Sequence, residues 1–239
     1  MKGYTFYWPV LWQHADLLWD GFKMTVQLFV ICSVLSLLLG IVVGILASSR
    51  RTWVRGLAEA YVELIRNVPV VVKLFFIYFA LGFEAFPAAV IGLSLHQSSY
   101  IGEVVRAGIK SVPPGQVEAS RATGLSLFAV HRYIVLPQAL IIVIPPMTTQ
   151  FLEVLKNSSL AMTITVAELT AQTLLIESLT FRGFEVATAV TALYLALSLV
   201  VATLFNALER WIAARHTSVS TLLTQGRRLA EEAQHAAAS

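Results

Sequence analysis

Hydrophobic positions in this chain come in long unbroken runs, not in the one-faced or alternating patterns of a soluble domain. Met24 to Ser49 carries no charge, and neither does Val186 to Leu208. About 20 mostly apolar residues cross the ~30 Å of hydrocarbon in a bilayer, so each run predicts a spanning helix. Tyr133 to Leu152 is also uncharged but holds Pro137, Pro145 and Pro146, which stand to interrupt it. Between Val68 and Gly102 only Lys73 and Glu84 are charged. That stretch is too long for one crossing, and the turn residues from Gly82 to Pro87 divide it. The pattern predicts an all-α integral membrane protein of about five transmembrane helices, over 22–48, 57–81, 86–108, 133–160 and 186–212, with a short extra helix within 160–175. Residues 1–21 read as an outer amphipathic segment, with Trp8 to Trp19 along the interface. Residues 213–239 read as a polar tail, partly helical or disordered.

Composition supports this reading. The chain is 57% hydrophobic and 13% charged, against ~25% charged in a typical soluble domain, and its mean hydropathy is +0.73. No short apolar core ending in a small-residue cleavage site opens the chain, so the first span is expected to stay in the mature protein. Eleven of the 17 basic residues fall after span one, between spans three and four, or in the tail. Cytoplasmic loops retain Lys and Arg, so the expectation is an outer N-terminus and a cytoplasmic C-terminus. All five tryptophans lie at span ends or beyond, as interfacial anchors do. A single cysteine, Cys32, excludes an intramolecular disulfide and a Cys-rich metal cage. No phosphate loop, dinucleotide fingerprint or nucleophile turn occurs, and the five histidines share no ligand spacing. His96, in an apolar segment, reads as a hydrogen-bonded or pore-facing histidine. Nothing points to nucleic acid.

The most informative stretch lies between spans three and four. Pro113, Pro114 and Gly115 predict a turn, and Gln116 to Thr123 a short helix. Gly124 is able to end that helix at positive φ. Ser126 is placed to cap a second helix, Leu127 to Val135, by accepting a backbone N–H. An ordinary interfacial loop would fit the same pattern. The spacing goes further. Glu118-Ala119-Ser120, three residues, Gly124, nine residues, Ile134, one residue and Leu136-Pro137 resemble the EAA motif of ATP-binding-cassette importer permeases, with Ser120 in place of the third position's alanine. Tyr61 to Pro69 (YVELIRNVP), Tyr100 to Lys110, Leu155-Lys-Asn-Ser-Ser-Leu160 and Ala167-Glu-Leu169 are similar to the polar amino acid branch of that family. Its Asn-Val-Pro and Lys-Asn-Ser forms look most like those of the glutamate/aspartate permeases.

The resemblance implies a type I importer fold with a cytoplasmic coupling segment at about 111–136. It implies that Glu118, Ala119, Ser120, Gly124, Ile134, Leu136 and Pro137 dock on an ATPase. It implies as partners an ATPase subunit dimer, a second permease copy or paralogue, an outer solute-binding protein and membrane lipid. The location implied is a bacterial inner membrane. No cofactor is implied on this chain, since Mg-ATP would sit on the partner subunits, and the chain itself would not be an enzyme.

Ionisable or polar groups at membrane depth are functional candidates. Lys73 stands where the branch commonly has glutamine, and paired with Glu63, Glu84 or a carbonyl it would be structural instead. Asn157 stands where cation-type permeases tend to carry aspartate. With Gln150, Ser158 and Ser159 these form the candidate substrate set. The two departures make the expected cavity more positive, which favours glutamate or aspartate, with glutamine or another neutral polar amino acid second. Two rival classes remain. An ion-coupled secondary transporter would draw on Glu63, Glu84 or Glu103, and a membrane enzyme would need a nucleophile or metal constellation that the sequence lacks.

Overall fold

A computed structural model describes residues 4–238, with side chains described through Ile212. Ten α-helices account for nearly all of it: α1 (Pro9–Gln13), α2 (Ala15–Ala47), α3 (Thr52–Asn67), α4 (Val70–Phe75), α5 (Ala85–Lys110), α6 (Pro114–Ala122), α7 (Leu127–Val130), α8 (Leu136–Asn157), α9 (Leu169–Thr180) and α10 (Gly183–Ala238). A π-helical turn, Phe76–Ala80, extends α4, and another, His131–Val135, joins α7 to α8. A 3₁₀ segment, Ser158–Ile164, follows α8.

Among the described residues, three continuous helical stretches are long and apolar enough to cross a membrane: Ala15–Ala47, Leu127–Ile164 and Gly183–Ile212. Their apolar side chains face outward. Val34, Leu38, Val42 and Ile45 of α2, and Leu195, Leu199 and Leu204 of α10, are all exposed, as lipid-facing residues are. Helix α5, expected as the third span, is 26 residues long, or about 39 Å at 1.5 Å per residue. It is less apolar because it is the central helix, and Ser94, Gln97, Ser98 and Ser99 point into the bundle.

Small residues bring the helices together. A Cβ on Gly44 would lie 2.7 Å from the Gly102 carbonyl oxygen, and one on Gly40 would lie 2.4 Å from Ile101 Cγ2. Only glycine lets α2 and α5 approach this closely. On the other face of α5, a Cβ on Gly108 would meet Val143 Cγ2 of α8 at 2.2 Å. One apolar cluster unites Leu28, Cys32, Leu74, Leu93 and Val154, and another unites Ile101, Val105, Met147, Phe151 and Val201.

Several expected boundaries move. The expected second span, 57–81, is two helices and not one. Pro69 lacks an N–H, and Val68 before it is extended (φ −99°, ψ 128°), so α3 stops and α4 restarts. In contrast, Pro145 and Pro146 do not interrupt α8. In a bundle, neighbouring groups and small local adjustments accommodate the lost hydrogen bonds. Pro114 and Gly115 are not in a turn. Pro114 opens α6, where its missing N–H costs nothing. The 21/22 boundary falls inside α2, because nothing between Ala15 and Ala47 breaks the helix. Gly21 is there to let α2 meet Leu169 and Gln172 of α9. The 212/213 boundary likewise falls inside α10, which runs on to Ala238. The short extra helix expected in 160–175 is the 3₁₀ segment, a left-handed Thr165 (φ 69°), and then α9.

Residues Tyr4 to Trp8 are tied to the start of α10. The Glu185 carboxylate, fully buried, accepts a hydrogen bond from the Tyr4 hydroxyl and one from the Tyr7 N–H (2.7 Å). Arg182 Nη1 donates to the Thr5 carbonyl oxygen at 2.8 Å. The bond to Glu185 raises the Tyr4 hydroxyl pKa.

Candidate functional site

The expected docking segment is a bent helical pair. Helix α6 ends at Ala122 with Thr123 as its C-cap, and Gly124 follows at φ 88°. A side chain there would meet no neighbour within 4 Å, so the backbone alone requires glycine. Ser126 Oγ accepts a hydrogen bond from the Ala129 N–H at 3.2 Å and caps α7. Gln138 Nε2 donates to Gln116 Oε1 (2.8 Å) and to the Ile134 carbonyl oxygen (2.9 Å), tying α6 to the start of α8. Glu118 and Ala119 are exposed, and Ser120 is half-buried, with its hydroxyl bonded to the Gln116 carbonyl. Ile134 is half-buried against Val112, Val130 and Val135. Leu136 and Pro137 open α8. No residue of α6 is buried, and Leu127, Phe128 and Tyr133 beside it are exposed. The pair therefore presents a free, partly apolar face.

Lys73 lies at the break between α3 and α4. Its Nζ donates to the Ile65 carbonyl oxygen at 2.7 Å, to the Val68 carbonyl oxygen at 2.8 Å, and to His96 Nδ1 at 2.9 Å. An ammonium group has three donors, and all three are in use. The Pro69 break frees carbonyls at the end of α3, and the lysine satisfies them where the helix dipole favours a cation. His96 accepts through Nδ1, so its proton is on Nε2. The expectation of a hydrogen-bonded His96 matches this arrangement.

The other sequence candidates separate. Gln150 accepts from Gln97 Nε2 at 2.7 Å, an amide pair joining α8 to the buried face of α5. Asn157 is the last residue of α8. Ser158 is fully buried, its hydroxyl bonded back to the Leu155 carbonyl. Ser159 alone opens onto a groove of about 360 Å³ between the end of α8, α9 and α10, lined by Lys156, Ser159, Thr170, Thr173, Thr191, Tyr194 and Ser198 with two apolar residues. Tyr194 lies about 17 Å along α10 from Gly183 at 1.5 Å per residue, within the uncharged run from Val186 to Leu208. Lys156 Nζ is 3.1 Å from Glu153 Oε1, and both side chains are well exposed (61% and 43%). Beneath the groove the buried Glu168 caps α9, accepting from the Thr170 N–H (2.9 Å), the Ala171 N–H (2.8 Å) and the Tyr194 hydroxyl (2.7 Å).

Sequence reasoning missed Glu153, Thr170, Thr191 and Tyr194. The signal for Glu153 was its position as the first charge after the uncharged run that ends at Leu152, three residues before Lys156. That for Tyr194 was a phenol in the middle of an uncharged span. Among the described residues no cluster of three metal-ligating side chains occurs.

A bundle of lipid-length helices with a groove between α8, α9 and α10 and a free helical pair at one end is the architecture of a membrane transport unit. Residues 9–214 match the family of binding-protein-dependent transport system inner membrane components, and the chain belongs to that family. The importer-permease resemblance carried by Glu118 to Pro137 thus holds. The chain is 38% identical over 216 residues to the glutamine transport system permease protein GlnP of Escherichia coli K12, covering 86% of this chain and 97% of that protein. It is 30% identical to the glutamate/aspartate import permease protein GltJ of the same organism, covering 81% and 86%. The crystal structure of an amino acid ABC transporter with histidines contains a chain that superposes with a TM-score of 0.80 at 32% identity, covering 87% of this chain and 99% of that one. An inward-facing structure of the MetNI methionine transporter shares the fold, with a TM-score of 0.73 at 20% identity.

Proposed function

We propose that this chain is the permease subunit of an ATP-driven amino acid importer, and that its substrate is glutamine or a similar neutral polar amino acid. The observation behind the class is a groove carrying several hydroxyls and Lys156 among the spanning helices of a chain of this family. The observation behind the substrate is the saturated ammonium of Lys73. With its three protons on two carbonyls and His96, Lys73 keeps its charge but has no N–H left to give an acidic side chain. This weakens the Lys73 part of the charge argument for glutamate. The greater identity with a glutamine permease points the same way. Glutamate/aspartate import is the second reading, favoured by the likeness to GltJ and by Lys156 in the groove.

In this reading the chain pairs with a second permease, and a solute-binding protein delivers substrate at the outer face, where the Tyr4 to Trp8 segment lies. ATPase subunits grip the α6–α7 pair at the inner face. Closure of the ATPase dimer draws the two helical pairs together and rocks the bundles, exposing the groove to each side in turn. Glu118 and Gly124 are the centre of the docking face, and hydrolysis takes place on the partner.

The test is uptake of labelled glutamine, glutamate and arginine by vesicles holding the complete complex. Glutamine uptake that needs ATP and outcompetes the other two is expected. Preferred glutamate would establish the second reading, and uptake that persists without the ATPase subunit would overturn the class.

A further inference from the structure

We infer that Glu153 and Lys156 together form a receptor for a zwitterion, with Lys156 taking the α-carboxylate of the amino acid and Glu153 its α-ammonium. The inference rests on the amino acid reading above and assigns the groove's charged end. Lys156 lines the groove, and Glu153, one helical turn earlier on the same face of α8, is 3.1 Å from it. A lone lysine would attract a carboxylate but leave the substrate's ammonium unmatched at membrane depth, where an unpaired charge is costly. A pair of opposite charges matches both ends of an amino acid and adds no net charge to the cavity. The pair is also ready to exchange partners. Both side chains are well exposed, and an open ion pair of this kind contributes little to folding, so swapping one partner for another disturbs little.

Nearby charges are committed elsewhere. Glu168 is buried, capping α9 and holding Tyr194. Lys73 is spent on the α3 break. Of the remaining lining, Ser159, Thr170, Thr191 and Ser198 carry hydroxyls that both donate and accept, beside the apolar Ala187 and Val190. An amide side chain suits that wall, since it also does both. A carboxylate side chain would find donors but no further cation. The groove therefore selects for an amino acid with a neutral polar side chain.

A phosphoethanolamine lipid headgroup carries the same two charges, so the test must separate the two sources. Labelled glutamine binding is measured on the purified permease–ATPase complex without solute-binding protein, in detergent, for the wild type, Glu153→Gln, Lys156→Gln and the exchanged pair Glu153→Lys with Lys156→Glu. Glutamine methyl ester, N-acetylglutamine and soluble O-phosphoethanolamine serve as competitors. Each single variant is expected to weaken glutamine binding by about tenfold or more, and the exchanged pair to recover most of it. Lys156→Gln should leave the methyl ester's weak competition unchanged, and Glu153→Gln that of the acetylated compound. Single variants that bind glutamine like the wild type would overturn the inference. So would O-phosphoethanolamine competing as well as glutamine, which marks a lipid site. A wild-type complex that binds no amino acid would overturn the amino acid reading as well, and so is distinguishable from failure of the pair alone.

Discussion

Replacing Lys73 with methionine separates a structural lysine from a substrate-binding one. The thioether fills similar space but donates nothing, so the Ile65 and Val68 carbonyls lose hydrogen bonds of 2.7 and 2.8 Å, and His96 loses one of 2.9 Å. A hydrogen bond from a charged donor contributes about 1.5–3 kcal/mol. Lys73 is half-buried and His96 is able to find another partner, so the three do not add fully, and a net loss of about 2–4 kcal/mol is expected. For a chain of this size each kcal/mol moves the melting temperature by about 2–4 °C, which gives a drop on the order of 5–15 °C. Lys73→Gln keeps an N–H donor near the carbonyls and should lose about half as much. The assay is thermal unfolding of the purified complex in detergent, alongside KM for glutamine and glutamate in vesicles. Lower stability with an unchanged ratio of the two KM values is expected. A Lys73→Met complex that melts like the wild type but shows a raised KM for glutamate alone would refute the reasoning and make Lys73 a substrate contact.

Other substitutions test the frame around the site. Gly124→Ala forces an alanine to φ 88° and should destabilise the α6–α7 bend by about 1–2 kcal/mol, seen as ATP hydrolysis less tightly coupled to uptake in vesicles. Gly108→Ala drives a methyl group into Val143 at 2.2 Å and should cost about 1–3 kcal/mol, read as a lower melting temperature. Gly56→Ala, in α3 with nothing within 4 Å, should instead stabilise by about 0.5–1 kcal/mol. Glu185→Gln weakens the bonds to Tyr4 and Tyr7 and should speed proteolysis of the N-terminal segment while leaving the bundle's melting unchanged.

What the sequence made legible and what it hid follow from one physical difference. Apolar runs are read from composition, because lipid rewards every exposed leucine alike, and α2, α8 and α10 appeared within a few residues of their limits, apart from their extensions. The bend at Gly124 and the cap at Ser126 were legible because each depends on one residue's own backbone or side chain. The Pro69 break was hidden by its outcome. A proline in an apolar run reads as tolerated or as breaking according to what satisfies the freed carbonyls, and the group that satisfies them here is Lys73, four residues on. Lys73 was open to a substrate reading and to a structural one with a carbonyl among its partners, and the Pro69 break supplies the carbonyls that decide for the second. Pro145 and Pro146 are the converse case, in which neighbours absorb the defect and the helix continues. The groove was hidden in a different way. Its wall comes from α8, the 3₁₀ segment, α9 and α10, and no periodicity in one segment reports which hydroxyls a distant helix will bring alongside. Of the five candidate substrate residues only Ser159 reaches it, because the 3₁₀ segment after Asn157 advances a third of a turn per residue and leaves Ser158 buried and Ser159 on the groove. The charge available to a substrate is therefore decided by which ionisable side chains the helix breaks have already used. Lys73 is held at the Pro69 break, whereas Lys156 and Glu153 are paired only with each other in an exposed ion pair.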